Sequence, residues 1–196
     1  TFMEALNAAG YVSASMGKWH LGNPGTGKGP TEQGFTVNVG GYSIGYPPGG
    51  HFVPYKNPYL SDGPDGEYLT DRLTDEALAF IDTNKENPFF LYLTHYAIHE
   101  PIEGKQDLVD YYASKPPSGG QGDPNEVAKT HEYAALVHSV DESLGRIVDK
   151  LEELDLTDDT VVILGSDNGA HACYTSNGPL RGLKGMFYEG GIRVPF

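Results

Sequence analysis

Two side chains that can carry positive charge or donate a proton lie close together near the start of the sequence. Lys18 and His20 are separated by one residue in the segment GKWHLG, which begins and ends with glycine. Glycine permits a sharp turn, and such a turn could bring both side chains to one point, where they could bind an anion and transfer a proton. The alternative is a surface turn in which Trp19 is a packing anchor. These six residues alone leave both interpretations open.

A carboxylate and an amide oxygen follow an apolar run in the second half of the chain. The run TVVIL leads into Asp167, Asn168 and Gly169. Oxygen ligands of this kind suit Ca²⁺ or Mg²⁺. Asp-Asn-Gly is also a common turn, and taken alone the turn is the more frequent interpretation.

Two histidines follow another apolar run, FFLYL. His95 and His99 have the four-residue spacing of a metal-binding pair on one helix face, but the strand pattern before them and Pro101 after them argue against a helix. His95 is therefore predicted to be structural or to support a site indirectly. His99 is a candidate catalytic residue, although an isolated histidine is more often a polar loop residue.

Three cations lie among glycines in the segment PLRGLKGMFYEGGIRVP. Arg181 and Lys184 are three residues apart, and Arg193 follows them. Glycines allow a backbone to approach an anion closely, so this loop is a candidate anion-binding segment. A solvated basic turn is the alternative.

The segment from Gly22 to Gly29 differs by one residue from a phosphate-binding P-loop. Gly29 stands where the P-loop needs a hydroxyl residue for Mg²⁺, Pro30 follows at once, and no strand is predicted before the segment. We reject a P-loop because the residues that give the motif its chemistry are missing.

Apolar periodicity predicts the elements that must position these residues. Helices are predicted at 2–9 and 67–85, and FFLYLTHY and TVVILG are continuous apolar runs typical of strands buried on both faces. The alternation of helix and strand predicts an α/β fold with a mostly parallel central sheet flanked by helices. Ligands of such sheets bind beyond the carboxyl ends of the strands.

A third helix is predicted to begin with Asp123 as its N-cap, Pro124 in its first position and Glu126 completing a capping box. Its apolar residues, from Tyr133 to Leu154, recur at steps of three and four. This stripe is predicted to pack on the sheet.

Composition excludes several classes of protein. With 13 Lys and Arg against 27 Asp and Glu, the net charge is −14, which argues against nucleic acid as a partner. An anionic substrate would need positive charge built locally from a few side chains or a cation. No apolar run is long enough to cross a membrane. Cys173 is the only cysteine, so an intrachain disulfide is impossible. The long irregular stretch 22–66 is more typical of a functional segment than of a neutral one.

The ordered set of motifs is far more specific than any one of them. The chain resembles the type I, formylglycine-dependent sulfatases, which belong to the alkaline-phosphatase-like α/β superfamily. The resemblance covers essentially the whole sequence and rests on five segments in family order: GYVSASMGKWHLG, PFFLYLTHYAIHEP, VDESLGRIVDKLEEL, TVVILGSDNG and PLRGLKGMFYEGGIRVP.

This resemblance implies a role for each candidate residue. Lys18 and Lys184 match the lysines that bind the sulfate. His20 matches the histidine that stabilises the formylglycine diol and helps to release sulfate, and His99 matches the histidine that protonates the leaving alcohol. Asp167 and Asn168 match two ligands of a single Ca²⁺ ion, the remaining ligands being expected outside this sequence.

The chain departs from the family pattern in two important respects. The Cys/Ser-x-Pro-x-Arg segment that supplies the nucleophile is absent, and so is the earlier pair of acidic metal ligands. Cys173 has no proline or arginine at the required offsets. We therefore expect residues 1–196 to be the central part of a sulfatase catalytic domain, without its nucleophile segment and C-terminal subdomain, and to be inactive alone.

The resemblance implies a secreted or periplasmic hydrolase of a sulfated carbohydrate or an aryl sulfate, with no membrane or nucleic-acid partner. A phosphonate or phosphodiester hydrolase of the same superfamily and a non-catalytic sulfatase-like binding protein are the alternatives. The tyrosines and prolines of 42–59 could stack on a sugar ring or merely pack. Packing is the favoured interpretation.

Overall fold

A computed structural model describes residues 1–115, 124–171, 173–175 and 177–196. Its centre is a parallel sheet of three strands, β1 (Val12–Gly17), β2 (Val37–Val39) and β3 (Phe89–Thr94), in the order β2-β1-β3. The helices are α1 (Phe2–Ala8), α2 (Leu69–Asn84), α3 (Gln106–Ala113), α4 (Pro124–Glu153) and α5 (Glu189–Ile192). Short 3₁₀ turns lie at Thr31–Gln33 and Thr157–Asp159. The predicted α/β class with a parallel sheet and flanking helices is confirmed.

The central strand β1 is almost completely buried, because it has a neighbour on each edge and helices beside it. Ala14 and Met16 pack with Ala77 and Phe80 of α2 to form one apolar cluster. A second cluster joins Leu69 and Leu73 of α2 to Tyr55, Leu60 and Tyr96. Burial of a leucine or phenylalanine side chain contributes about 1.5–3 kcal/mol, so α2 is anchored on the sheet along most of its length.

Helix α4 packs differently from its predicted arrangement. It lies against α2 and α3, and its most buried residues are small or polar ones around Leu136: Ala135, Ser139 and Ser143. Val137, a member of the predicted apolar stripe, is 44% exposed. Small side chains permit two helices to approach closely, which explains why this face turns toward α2. The predicted N-cap, Asp123, lies outside the described residues.

The predicted strand in TVVILG is wrong for this structure. Residues 160–165 form neither helix nor strand, and Val161, Val162, Ile163 and Leu164 are all exposed. A strand exists only where a neighbour pairs with its backbone, and none of the described residues does so here. The apolar run is therefore present but unpaired.

The structure also corrects one ground for rejecting a P-loop. A strand, β1, does end shortly before Gly22, contrary to the prediction. However, only the 3₁₀ turn Thr31–Gln33 follows Gly29, whereas a P-loop requires a helix there. The rejection therefore rests on the missing helix and the missing hydroxyl residue.

Candidate functional site

The carboxyl ends of β1 and β3 lie side by side and fix the position of Lys18. Gly17 pairs with Thr94 in the strand register, and a Cβ built on Gly17 would lie 2.0 Å from the Thr94 carbonyl oxygen. The Lys18 N–H donates to that carbonyl at 2.7 Å, and the Thr94 hydroxyl donates to the Lys18 carbonyl at 2.6 Å. Thr94 thus holds the Lys18 backbone from both sides.

Lys18 meets a residue from the opposite end of the chain. Its Nζ lies 3.5 Å from Asp167 Oδ2, although 149 residues separate the two. The Lys18 side chain is 19% exposed, whereas that of Asp167 is 68% exposed. Solvent weakens an ion pair of this kind to about 1 kcal/mol or less. The contact matters because it joins the GKWHLG and SDNG segments at one place.

His20 is held by its backbone rather than by partners of its ring. It adopts the left-handed conformation with φ of 62°, and its N–H donates to the Tyr42 carbonyl at 2.8 Å. The imidazole lies directly against Gly45, where a Cβ would be 2.3 Å from Nδ1. The ring is exposed, as a group that must reach a substrate requires.

His99 lies on the other side of the dipeptide formed by Gly45 and Tyr46. Its ring stacks on Tyr46, with centroids 6.4 Å apart and planes inclined by 30°. Its Nδ1 lies 3.2 Å from the Glu100 carbonyl oxygen, so a protonated Nδ1 would leave Nε2 as the second ring nitrogen for a reactant. Because Gly45 contacts His20 and Tyr46 contacts His99, the two histidines flank one dipeptide.

Asp167 and Asn168 form a turn whose oxygen atoms are incompletely satisfied. The Asn168 amide donates to Asp167 Oδ1, and Asn168 Oδ1 is buried with no hydrogen-bond partner among the described residues. A buried oxygen without a donor is costly and fits a hard cation. No group of three or more His, Cys, Asp or Glu residues able to hold a metal occurs in the described ranges. The pair therefore provides at most part of a coordination shell.

Lys184 is joined to this turn through its backbone. Its N–H donates to the Ala170 carbonyl at 2.9 Å. Asn177 reinforces the arrangement, since its side chain accepts from the Ala170 N–H at 3.0 Å and donates to the Gly182 carbonyl at 3.1 Å. The side chain of Lys184 is exposed. The structure thus places Lys184 beside the Asp167–Asn168 turn without showing a side-chain contact to the other candidates.

Three further residues lie outside this arrangement. Arg181 stacks over the Tyr188 ring at 3.9 Å, and Cys173 is exposed. His95 contacts Ser143 of α4 through Nε2 at 2.9 Å, and burial lowers the pKa of its imidazole to about 4. A neutral histidine that links a strand end to a helix fits the structural role predicted for it.

Trp19 is a packing residue. Its indole N–H donates to the Lys28 carbonyl at 2.8 Å, and its ring packs edge-on against Phe35. Trp19 and Leu21 line an apolar cavity of about 450 Å³ that includes neither Lys18 nor His20. Within GKWHLG, Trp19 therefore packs, whereas Lys18 and His20 lie at the candidate site.

Sequence reasoning missed several residues that shape the site. Thr94, Gly45 and Tyr46 contact the candidate catalytic residues, and the buried His51 contacts the His99 backbone. Thr94 is the last residue of β3, so its position was visible in the sequence. The other three lie in the irregular stretch, where no periodicity shows which side chain points inward.

Comparison with known proteins identifies the family. A family model described as Sulfatase matches residues 1–196. The chain belongs to the sulfatase family. Human N-acetylgalactosamine-6-sulfatase is 34% identical over 219 aligned positions, which cover 98% of this chain and 38% of the relative. A sulfatase of Formosa agariphila is 37% identical over 149 positions, covering 71% of this chain and 26% of that protein.

Solved structures agree with this assignment. The sulfatase chain is similar to Ps i-CgsB in complex with k-i-k-neocarrahexaose, with a TM-score of 0.77, 28% identity, and coverage of 98% of this chain and 45% of that one. A second structure of Ps i-CgsB gives a TM-score of 0.78 at 27% identity. The chain thus spans about 26–45% of the relatives and structures named here.

In the described ranges of the sulfatase chain, no helix has both the length and the apolar character needed to cross a membrane.

Proposed function

We propose that the protein containing this chain hydrolyses sulfate esters of a saccharide. The observation that carries the proposal is the contact between Lys18 and Asp167, which brings the GKWHLG and SDNG segments together at the strand ends. His20 and His99 flank the adjacent dipeptide 45–46. This set combines a cation for an anionic ester, a proton donor and oxygen ligands for a metal.

The proposed roles follow from the chemistry of each group. Lys18 binds the peripheral oxygens of the sulfate, and Lys184 adds a second positive charge from its neighbouring loop, because fixed cations stabilise the charge of the transition state. His99 protonates the departing oxygen, since its ring is partly exposed and a histidine can act as an acid near neutral pH. His20 donates toward the attacking group, which the 196 residues do not contain.

Asp167 and Asn168 are proposed to hold part of a Ca²⁺ site. The buried, unpartnered Asn168 Oδ1 supports this assignment. Bound Ca²⁺ would supply further positive charge for the anionic ester. A chain with a net charge of −14 needs this local concentration of positive charge to attract a sulfate.

The second part of the proposal is that the sulfate ester belongs to a saccharide. The relatives include a protein named N-acetylgalactosamine-6-sulfatase and a structure in complex with neocarrahexaose. In this chain Tyr46 is 49% exposed beside the His99 ring, whereas Tyr42 and Tyr55 are buried. Packing therefore accounts for two of the tyrosines of 42–59. Tyr46 presents an aromatic face to the group that leaves with the oxygen.

We further propose that residues 1–196 form the central part of the catalytic domain and that the whole protein is secreted or periplasmic. The relatives' greater length supports the first statement, and the family resemblance supports the second. Cell fractionation of the native host tests the location.

Substrate profiling of the full-length protein tests the function. We expect turnover of at least one member of a panel of sulfated mono- and oligosaccharides, with the corresponding phosphate esters hydrolysed far more slowly. A preference for the phosphates would instead indicate a phosphodiester or phosphonate hydrolase. Binding of sulfated sugars without turnover of either ester would indicate a non-catalytic relative.

A further inference from the structure

The segment that carries His99 has no regular secondary structure of its own. Beyond the end of β3, the His99 N–H donates to the Tyr96 carbonyl at 2.9 Å and closes a local turn. Its carbonyl oxygen is 3.0 Å from Nε2 of His51, a residue 48 positions earlier in the chain. A side chain from a distant segment therefore fixes the backbone of the proposed proton donor.

His51 is fully buried and tied to two other elements. Its backbone N–H donates to Glu103 Oε2 at 2.9 Å, and its carbonyl accepts from the Leu69 N–H of α2 at 2.8 Å. Its ring thus contacts residue 99 while its backbone contacts residue 103. The turn that presents His99 is held at both ends by one residue.

Glu103 fits this arrangement closely. A Cβ built on Gly50 would lie 2.4 Å from Glu103 Oε2, so the carboxylate occupies the space that a side chain at position 50 would fill. The Tyr68 hydroxyl donates to the Glu103 carbonyl at 3.0 Å, and the Tyr68 ring packs beside His51 at 6.0 Å. His51 thus lies against both Glu103 and Tyr68.

The charge state of His51 is consistent with a fixed donor. Burial lowers the pKa of its imidazole, although the hydrogen bond to the His99 backbone and the nearby Glu103 carboxylate oppose this effect. A neutral ring that faces a carbonyl oxygen must carry its proton on Nε2. Nδ1 is buried and has no hydrogen-bond partner in the described part of the chain. His51 therefore donates its Nε2–H to the His99 carbonyl.

We propose that His51, supported by Glu103, is a positioning residue that orients His99 toward the leaving oxygen. The inference rests on the proposed sulfate ester hydrolysis and on the assignment of His99 as the acid. Loss of this orientation should affect only the departure of the leaving group. An alkoxide leaves slowly unless it is protonated, whereas an acidic phenol leaves readily as its anion, so misplacement of the acid must harm sugar sulfates more than activated aryl sulfates.

The test compares two substrates in variants of the full-length protein. The substrates are 4-nitrophenyl sulfate and a saccharide sulfate that the wild-type protein turns over. For His51→Leu, which removes the donor, we expect kcat for the saccharide sulfate to fall at least 10-fold further than kcat for the aryl sulfate, with little change in KM. His51→Gln keeps an N–H donor in the side chain and should recover most of the difference.

Two further variants keep the result interpretable. Glu103→Ala removes the carboxylate that holds the His51 backbone but leaves the buried ring intact, and it should show the same selective loss if His51→Leu does not fold. His138→Leu makes the matched change at a histidine of α4 that contacts Tyr112 of α3. It should leave the ratio of the two kcat values unchanged.

Each remaining outcome is decisive. Equal losses on both substrates, or no loss in either His51→Leu or Glu103→Ala, would show that His51 does not act through His99. If the wild-type protein turns over neither sulfate ester, the proposed function itself fails, and this result is distinct from an unselective effect of the variants.

Discussion

At the scale of single residues, the site depends on where a side chain is missing. Gly45 contributes no side chain, and the His20 imidazole occupies the space beside it. The next residue, Tyr46, carries the ring that stacks on His99. A small residue and a large one, adjacent in the sequence, thus contact two histidines that are 79 positions apart.

Replacement of Gly45 by alanine tests this arrangement. A Cβ would lie 2.3 Å from His20 Nδ1, so the imidazole must move. We expect kcat/KM of the full-length protein to fall by at least about 10-fold, because a positioned acid or base usually contributes about 10²–10⁴-fold. The melting temperature should change little because His20 is exposed. Gly145→Ala, which adds a methyl group in open space on α4, is the matched control.

The metal assignment gives a second prediction at this scale. Asn168→Ala removes the buried oxygen that has no partner, and we expect weaker Ca²⁺ binding by isothermal titration calorimetry. A ligand that binds only the folded state raises its stability, so Ca²⁺ should raise the melting temperature less in the variant than in the wild type. Asn87→Ala, a change at an exposed turn, should behave as wild type. Equal affinities in Asn168→Ala and wild type would remove Asn168 from the ligand set.

At the scale of elements, a series of hydrogen-bonded polar side chains connects the end of β3 to helices α4 and α2. His95 Nε2 lies 2.9 Å from the Ser143 hydroxyl of α4, to which the Thr74 hydroxyl of α2 donates at 2.6 Å. Small polar residues at this contact allow the helices to approach while the buried groups remain hydrogen-bonded. These hydroxyls therefore contribute to the contact of α4 with α2 and with the end of β3.

This connection predicts a pH dependence of stability. The His95 pKa is lowered by burial to about 4 in the folded protein, against about 6.5 in an unfolded chain. The unfolded state binds more protons between these values, so stability is full above pH 6.5 and declines as pH falls toward 4. At about 1.4 kcal/mol per pH unit, the loss is about 3 kcal/mol.

Urea unfolding of the full-length protein between pH 7 and pH 4 measures this effect. His95→Asn cannot titrate, so its stability should decline less on acidification than that of the wild type. Some decline should persist, because burial also lowers the pKa of His51. His171→Asn replaces an exposed histidine and should retain the wild-type profile. A wild-type profile in His95→Asn would contradict the prediction.

At the scale of the whole molecule, the apolar run Val161–Leu164 is exposed, although residues of these types are usually buried. Val161 is 86% exposed and Ile163 is 70% exposed. Contiguous exposed apolar residues usually mark a surface that another element covers. The relatives are two to four times as long as the matched region. In a protein of that length, further segments would be available to pair with this run.

Hydrogen exchange tests that expectation. In the full-length protein, the amides of 161–164 should be protected to the level of β1, because pairing in a sheet satisfies their N–H groups. In the isolated 196-residue polypeptide they should exchange rapidly. That polypeptide should also fail to hydrolyse sulfate esters, since it lacks the Cys/Ser-x-Pro-x-Arg segment. Rapid exchange in the full-length protein would show that the run is a surface segment there too.

The sequence determined the elements whose patterns are local. Helix α2 was predicted at 67–85 and found at Leu69–Asn84, and β3 was found within the predicted run FFLYLTHY. Periodic burial fixes such elements because it needs only a few neighbouring residues. The motifs in family order also indicated the family, which the match over residues 1–196 confirmed. The roles assigned to Lys18, His20, His99, Asp167, Asn168 and Lys184 stay predictions.

The contacts between distant segments are visible in the folded structure alone. It placed Lys18 against Asp167, turned the Ser139–Ser143 face of α4 toward α2, and brought His51 beneath His99. None of these contacts has a periodic signal, because each joins residues from separate segments whose approach depends on the packing of everything between them. For the same reason, the apolar pattern of TVVILG predicted a strand that did not form. A sequence shows that a segment is able to pair, but pairing requires a neighbour.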